Sequence, residues 1–162
     1  MRKLPAIAGV FLLIGCQPAK TTLTEEEIAQ IETRILGIME NRFDALRELD
    51  VEGYALTAHP ELLTWPGGGQ LMNWSQYRDA LMAWAEGKES WKGGWVESKV
   101  RVLSPNLAIF SGTYTDSIRF SDGRHLHWPE ASAVFLFERT ADGWKFIMGG
   151  ESATPPQLVE EG

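Results

Sequence analysis

VESKVRVLSPNLAIFSGTY, residues 96–114, is where the hydrophobic period of this chain changes from helical to strand-like, and the fold class turns on that change. Val96, Ser98, Val100 and Val102 alternate with Trp95, Glu97, Lys99 and Arg101, which predicts a strand with one dry and one wet face. Ser104-Pro105-Asn106 turns the chain into a second long strand, from Leu107 to Phe120. Ser121-Asp122-Gly123 reads as a hairpin turn, residues 124–139 as a third strand, and Ala141-Asp142-Gly143 as a turn into a last strand over residues 144–148.

Upstream of this stretch the pattern is helical. Thr24-Glu25-Glu26-Glu27 is a capping box, with the Thr24 hydroxyl available to the Glu27 amide and the Glu27 carboxylate able to reach back. Ile28, Ile31, Ile35, Ile38, Met39, Leu46 and Leu49 then recur at helical spacing, predicting one long helix over residues 25–49 with a buried stripe. Arg42 falls near that stripe, either snorkelling from the helix edge or facing a cavity. Asp50 starts a shorter segment that runs to about Thr57 and stops before His59-Pro60.

ELLTWPGGGQLMNW, residues 61–74, reads as a short strand, a turn and another short strand. Its glycine triplet lacks the GxxxxGK[ST] frame and a nearby basic residue, so phosphate binding is a poor reading. Ser75 is placed to cap a third helix running to about Glu86. Tyr77, Ala80, Leu81 and Trp84 share one face of it, which packs on a sheet and lets Tyr77 and Trp84 present polar tips to a cavity. Helices first and consecutive antiparallel strands afterward predict an α+β domain.

The N-terminus speaks to location. Arg2 and Lys3 precede an apolar run over residues 4–14, shorter than the about 20 residues a transmembrane helix needs. Leu13-Ile14-Gly15-Cys16 resembles a bacterial lipobox, which implies lipidation of Cys16 and cleavage before it; the other reading is a plain secretory signal with a chance cysteine. Gln17 in place of an aspartate points by the family rule to the outer membrane, facing the periplasm. Cys16 is the only cysteine, so no internal disulfide is available and the core alone must hold the domain. The expected organisation is a signal peptide over 1–15, a lipidated tether over 16–23, a domain over 24–153 and a loose acidic tail over 154–162. Without Arg2 and Lys3 the 15 basic residues become 13 against 22 acidic ones, a net charge of −9. Such a surface repels nucleic acid, and no basic cluster overrides the balance.

Taken together, the long first helix, ALRELDVEGYALTAHPELLTWPGGG, the third helix, VLSPNLAIFSGTY and VFLFERTADGWKFI resemble the nuclear transport factor 2-like superfamily, and within it the SnoaL-like branch. The resemblance covers residues 24–153, and its most specific element is Asp142-Gly143-Trp144 opening the last strand. It implies a cone-shaped curved antiparallel sheet wrapped around the N-terminal helices, a pocket in the open end, and a homodimer formed through the outer sheet face.

The resemblance does not carry over a catalytic set. Where ketosteroid isomerases of the superfamily hold their base, just before the hairpin proline, this chain has Trp65; their helix tyrosine falls close to Arg42; and no carboxyl lies between Ala131 and Phe137. Scytalone dehydratase-like members use pocket histidines with tyrosines, and His59, His125, His127, Tyr54, Tyr77 and Tyr114 are present without a position-by-position match. Near the last strand, where many SnoaL-like sequences carry a histidine, Glu151 is a weak substitute.

RHLHWPE, residues 124–130, puts His125 and His127 on one strand face and Leu126 and Trp128 on the other, until Pro129 breaks the ladder and suggests a bulge. The histidines read as strand surface or pocket rim, as pocket-lining acid–base groups, or as metal ligands, for which the spacing to Glu130 is too short. No metal or cofactor is therefore expected. Three functions stay open. The first is a non-catalytic binding module whose cone takes a small apolar or aromatic ligand among Trp65, Tyr54, Tyr77, Trp84 and Trp128, or whose outer sheet docks an envelope partner. The second is a lyase, isomerase or cyclase using His125 or His127 as base with Tyr114 or another tyrosine as proton donor. The third is an interaction domain with a filled cone.

Overall fold

The structure is a computed structural model, and it describes residues 22–66 and 69–159. Cys16, the expected signal peptide and most of the expected tether lie outside the described residues. Helix α1 (Glu25–Arg47) starts with the expected capping box: Thr24 accepts from the Glu27 amide at 3.2 Å, and the Thr24 amide donates to Glu27 at 2.8 Å. Its stripe of Ile31, Ile35, Met39, Phe43 and Leu46 is buried. The Asp50 side chain caps the short α2 (Val51–Ala55) through the Gly53 amide at 2.9 Å. The third helix, α3 (Trp74–Ala85), is capped two residues earlier than expected, by Asn73 and not Ser75. Asn73 and Gln76 satisfy each other's amides in a second capping box.

The strands are β1 (Ala58–Trp65), β2 (Met72–Asn73), β3 (Lys88–Ser104), β4 (Leu107–Phe120), β5 (His125–Thr140), β6 (Gly143–Ala153) and β7 (Gln157–Leu158). They form one sheet in the order β2-β1-β6-β5-β4-β3, with β7 against the first part of β5. Strands β3 to β6 run antiparallel through tight turns, while β1 joins β6 in parallel. Gly123 and Gly143 hold φ of +86° and +106° at the two late turns, a region that L side chains avoid. The acidic tail is not loose throughout: β7 pairs with β5 at Leu126 and His127. No helix among the described residues is long and apolar enough to cross a membrane.

The helices pack on the concave face of this curved sheet, as the α+β cone requires. Phe43 of α1 stacks on Trp91 at 5.1 Å and meets Trp95 at 4.6 Å and Tyr114 at 5.7 Å between ring centres. Phe110, Phe135, Phe137 and Phe146 fill the rest of the inner face. Burying one such ring stabilises by about 1.5–3 kcal/mol, so this cluster fixes α1 against the sheet.

Bulges decide which side chains point into the cone. Between Trp95 and Glu97 the pairing with β4 slips by one residue, so Trp95 faces inward and Val96, expected on the dry face, is 70% exposed. The bulge expected at Pro129 is present: Ala131 pairs with Tyr114 but Trp128 pairs with Asp116. A further slip falls where Leu136 pairs with Met148 and Phe137 with Phe146. It turns Gly149 and Glu151 inward and leaves Met148 outside.

Candidate functional site

The open end of the cone holds a cavity of about 430 Å³. Each wall comes from a different element. Met39, Arg42, Phe43 and Leu46 come from α1, Tyr54 from α2, and Tyr77, Ala80, Leu81 and Trp84 from α3. The sheet adds Trp95, Tyr114, Asp116, Ile118, Trp128, Phe135, Glu151 and Ala153. Aromatic and aliphatic side chains dominate, and a few polar groups converge, which is the composition of a small-molecule site.

At the closed end sits Arg42, only 2% exposed. Its Nη1 donates to Thr57 Oγ1 at 2.5 Å and to the Tyr54 carbonyl at 3.4 Å, and its Nη2 donates to the Tyr77 hydroxyl at 3.2 Å. The guanidinium also lies over the Tyr54 ring at 3.8 Å and the Phe146 ring at 4.4 Å. Burial alone would lower its pKa, but Tyr54, Tyr77 and Glu151 outweigh that and raise it. Arg42 is therefore a fixed buried cation.

Two carboxylates share the cavity. Burial raises Glu151, and the positive charge of Arg42 opposes the rise, although no ion pair closes between them. Burial likewise pushes Asp116 up, to about 7, with the negative charge of Glu151 adding to it and the Trp91 indole opposing it weakly. That indole does not complete a hydrogen bond: Trp91 Nε1 and Asp116 Oδ1 are both buried without a partner among the described residues. Burial also raises the Tyr54, Tyr77 and Tyr114 hydroxyls, so all three stay protonated and act as neutral donors. Tyr54, Tyr77, Tyr114, Trp84 and Trp128, named from the sequence, all line this space.

Other expected residues are elsewhere. Trp65 is 40% exposed and absent from the cavity wall, because the alternation of β1 puts Leu62 and Thr64 inside and Leu63 and Trp65 outside. His125 and His127 pair with Arg119 and Ser117, the outward positions of β4, while their neighbours Leu126 and Trp128 pair with the inward Ile118 and Asp116. His125 Nε2 lies 2.7 Å from Ser117 Oγ, and His127 Nδ1 lies 2.9 Å from the Asp116 carbonyl oxygen. Neither imidazole reaches the cavity. Among the described residues no group of three or more His, Cys, Asp or Glu converges as a metal site. Sequence reasoning overlooked Asp116, and it set Trp95 on the strand face opposite Val96, Val100 and Val102. Asp116 shares period-2 parity with Phe110, Tyr114 and Ile118, and that parity is the signal that would have turned it inward.

No protein-family model matches this chain, and no curated protein matches it in sequence. Solved structures do match in shape. A protein of Novosphingobium aromaticivorans provisionally assigned as a scytalone dehydratase superposes with a TM-score of 0.75 at 11% identity, over 86% of this chain and 93% of that one. A type 2 hexachlorocyclohexane dehydrochlorinase superposes at 0.73 with 8% identity, over 85% and 94%. A nuclear transport factor 2-like superfamily protein from Salmonella enterica gives 0.69 at 14% identity, over 83% and 99%. At these identities the likeness is one of architecture, and the fold of this chain is the α+β cone of the nuclear transport factor 2-like proteins.

Proposed function

We propose that this chain is an exported lipoprotein of the SnoaL-like branch, held on the bacterial outer membrane by acyl chains on Cys16, whose cone binds a small apolar or aromatic molecule. The cavity of about 430 Å³, walled by aromatic rings and holding a few convergent polar groups, is the observation that carries the binding role. The anchor rests on the lipobox-like Leu13-Ile14-Gly15-Cys16 behind a short basic and apolar leader. Native mass spectrometry of the protein purified gently from its own envelope, beside a Cys16→Ser form, tests both parts. A small-molecule mass common to the two forms supports binding, and an acyl mass confined to the first supports the anchor. An empty domain in both counts against the binding role.

A homodimer through the convex face belongs to the same proposal. The register aligns Leu63, Met148, Leu136 and Ile109 in one row across β1, β6, β5 and β4, with Trp65 and Val134 in the next row. Leu63, Trp65, Met148 and Val134 are each at least 40% exposed, an apolar outer surface suited to an identical partner.

A second reading, proton-transfer chemistry of the lyase or isomerase type, draws on Asp116. A carboxyl that titrates near neutrality and faces a largely apolar cavity, two residues from Tyr114 on the same face, can accept a proton at physiological pH. With a substrate in hand, Asp116→Asn would abolish kcat while leaving KM nearly unchanged. A retained kcat would refute this reading.

A further inference from the structure

The cavity's two carboxylates are not equivalent. Glu151 has a built-in counter-charge in Arg42, and Arg42 is itself engaged by Thr57, Tyr77, the Tyr54 carbonyl and two ring faces. Asp116 has none: no Lys or Arg among the described residues pairs with it, and one of its oxygens is buried without a hydrogen-bond partner. A carboxylate placed this way in a protein interior is costly unless something supplies a positive charge or a proton.

The surroundings of Asp116 suit the first of these. Trp128 lies directly across the β4–β5 ladder from Asp116, Tyr114 precedes it by two residues on the same face, and Trp95 stands opposite Tyr114. The Trp95 and Tyr114 rings meet edge to face at 5.3 Å. Trp84 closes the same space from α3. Aromatic faces around one carboxylate attract an organic cation through their quadrupoles, and they desolvate its apolar body.

We propose that the natural occupant of this cavity is a small hydrophobic amine whose ammonium group pairs with Asp116 among Trp95, Tyr114 and Trp128. This rests on the binding role argued above and specifies its ligand class. The charge balance fits. With Arg42 offset by Glu151, an ammonium on Asp116 leaves the occupied cavity neutral, whereas a carboxylate ligand would add a second uncompensated negative charge beside that of Asp116.

The proton balance gives the proposal a distinct signature. The groups facing Asp116 are Glu151 of β6, Tyr114 of β4 and the Trp91 indole of β3, with Arg42 and Tyr77 deeper in the cavity. An amine with a pKa of about 10 arrives protonated, so pairing expels the proton that Asp116 holds near neutrality. Amine affinity therefore rises as pH increases from 6 to 8, with release of a proton to buffer. An alcohol of the same shape shows neither effect.

Isothermal titration of the full chain carrying Cys16→Ser, with 2-phenylethylamine, 2-phenylethanol and phenylacetate in two buffers of different ionisation enthalpy, tests this. The expected result is amine binding about tenfold or more tighter than the alcohol at pH 8, with a smaller advantage at pH 6. Asp116→Asn, an isosteric change that removes a buried charge, should erase both the amine's advantage over the alcohol and the proton release. Equal affinity for amine and alcohol at both pH values overturns the amine assignment and leaves the binding cone standing. A preference for phenylacetate overturns it equally. No binding by any of the three removes the amine assignment and the binding role together.

Discussion

Arg42 Nη2 donates to the Tyr77 hydroxyl at 3.2 Å, and this bond ties α1 to α3 across the closed end of the cone. The same guanidinium holds the Tyr54 carbonyl within α2 and Thr57 just beyond its end, so one buried cation organises all three helices. Tyr77→Phe deletes the acceptor and keeps the ring, leaving an N–H of a buried guanidinium without its partner. The expected cost is about 1.5–3 kcal/mol, read as a lower urea midpoint with unchanged m. A midpoint equal to wild type would mean that the Arg42–Tyr77 bond contributes nothing to holding the helices.

Stability should fall with pH between about 4 and 7, because the carboxyl of Asp116 titrates near 7 in the folded protein and near 3.8 in its unperturbed state. The sign follows from proton counting. Between these values the folded state holds the proton that the unfolded chain has lost, so raising pH favours unfolding, and above pH 7 the full penalty is present. A shift of this size corresponds to a loss on the order of 4 kcal/mol. Asp116→Asn should flatten most of the decline and be more stable than wild type at pH 8 by urea denaturation. Glu151, also raised by burial, leaves a residual slope in the variant. A variant that is less stable at pH 8 would mean that Asp116 is not a desolvated carboxyl.

Gly93 sits where β3 passes closest to the Asp116 segment. A methyl group built there would lie 2.5 Å from the Thr115 carbonyl oxygen, 2.6 Å from the Trp91 ring and 2.7 Å from Asp116 Oδ1. Backbone cannot give way cheaply in a paired strand, so Gly93→Ala should destabilise by about 1–3 kcal/mol. It should also disturb any pH dependence that originates at Asp116. Gly37→Ala is the control: a methyl there meets nothing within 4 Å, and Ala is the better helix former. Thermal unfolding of the two variants should move in opposite directions.

The parts of this fold that were legible from sequence are the ones set by neighbours along the chain. Thr24 with Glu27, Asp50 at α2, and the Asp-Gly turns at 122–123 and 142–143 each satisfy local backbone groups, so a few residues suffice to read them. What was not legible depends on a partner strand. Val96 looked buried because alternation was carried through a bulge that only the pairing with β4 reveals. Trp65 looked like a pocket residue, yet the alternation of β1 faces it outward. Arg42 could be read as a snorkelling edge residue until Tyr54, Tyr77 and Phe146, distant in sequence, were seen to enclose it. Asp116 was hidden differently, since a lone carboxyl in a strand is normally on the wet face.

The convex face offers the last test. Val134 is 54% exposed at the middle of β5, where its neighbours in register are Gly150 of β6 and Ser111 of β4, so it projects over a low part of the apolar surface. A two-fold interface across that surface would bury Val134 against its own copy or close to it, and a charge there would face a like charge at short range in a desolvated setting. Val134→Glu should therefore convert a dimer to a monomer in light scattering coupled to size exclusion. Its effect on the monomer's own stability should stay within about 0.5 kcal/mol, because the side chain is exposed in the single chain. A wild-type protein that runs as a monomer at micromolar concentration, or a Val134→Glu variant that remains dimeric, would take the interface away from this face.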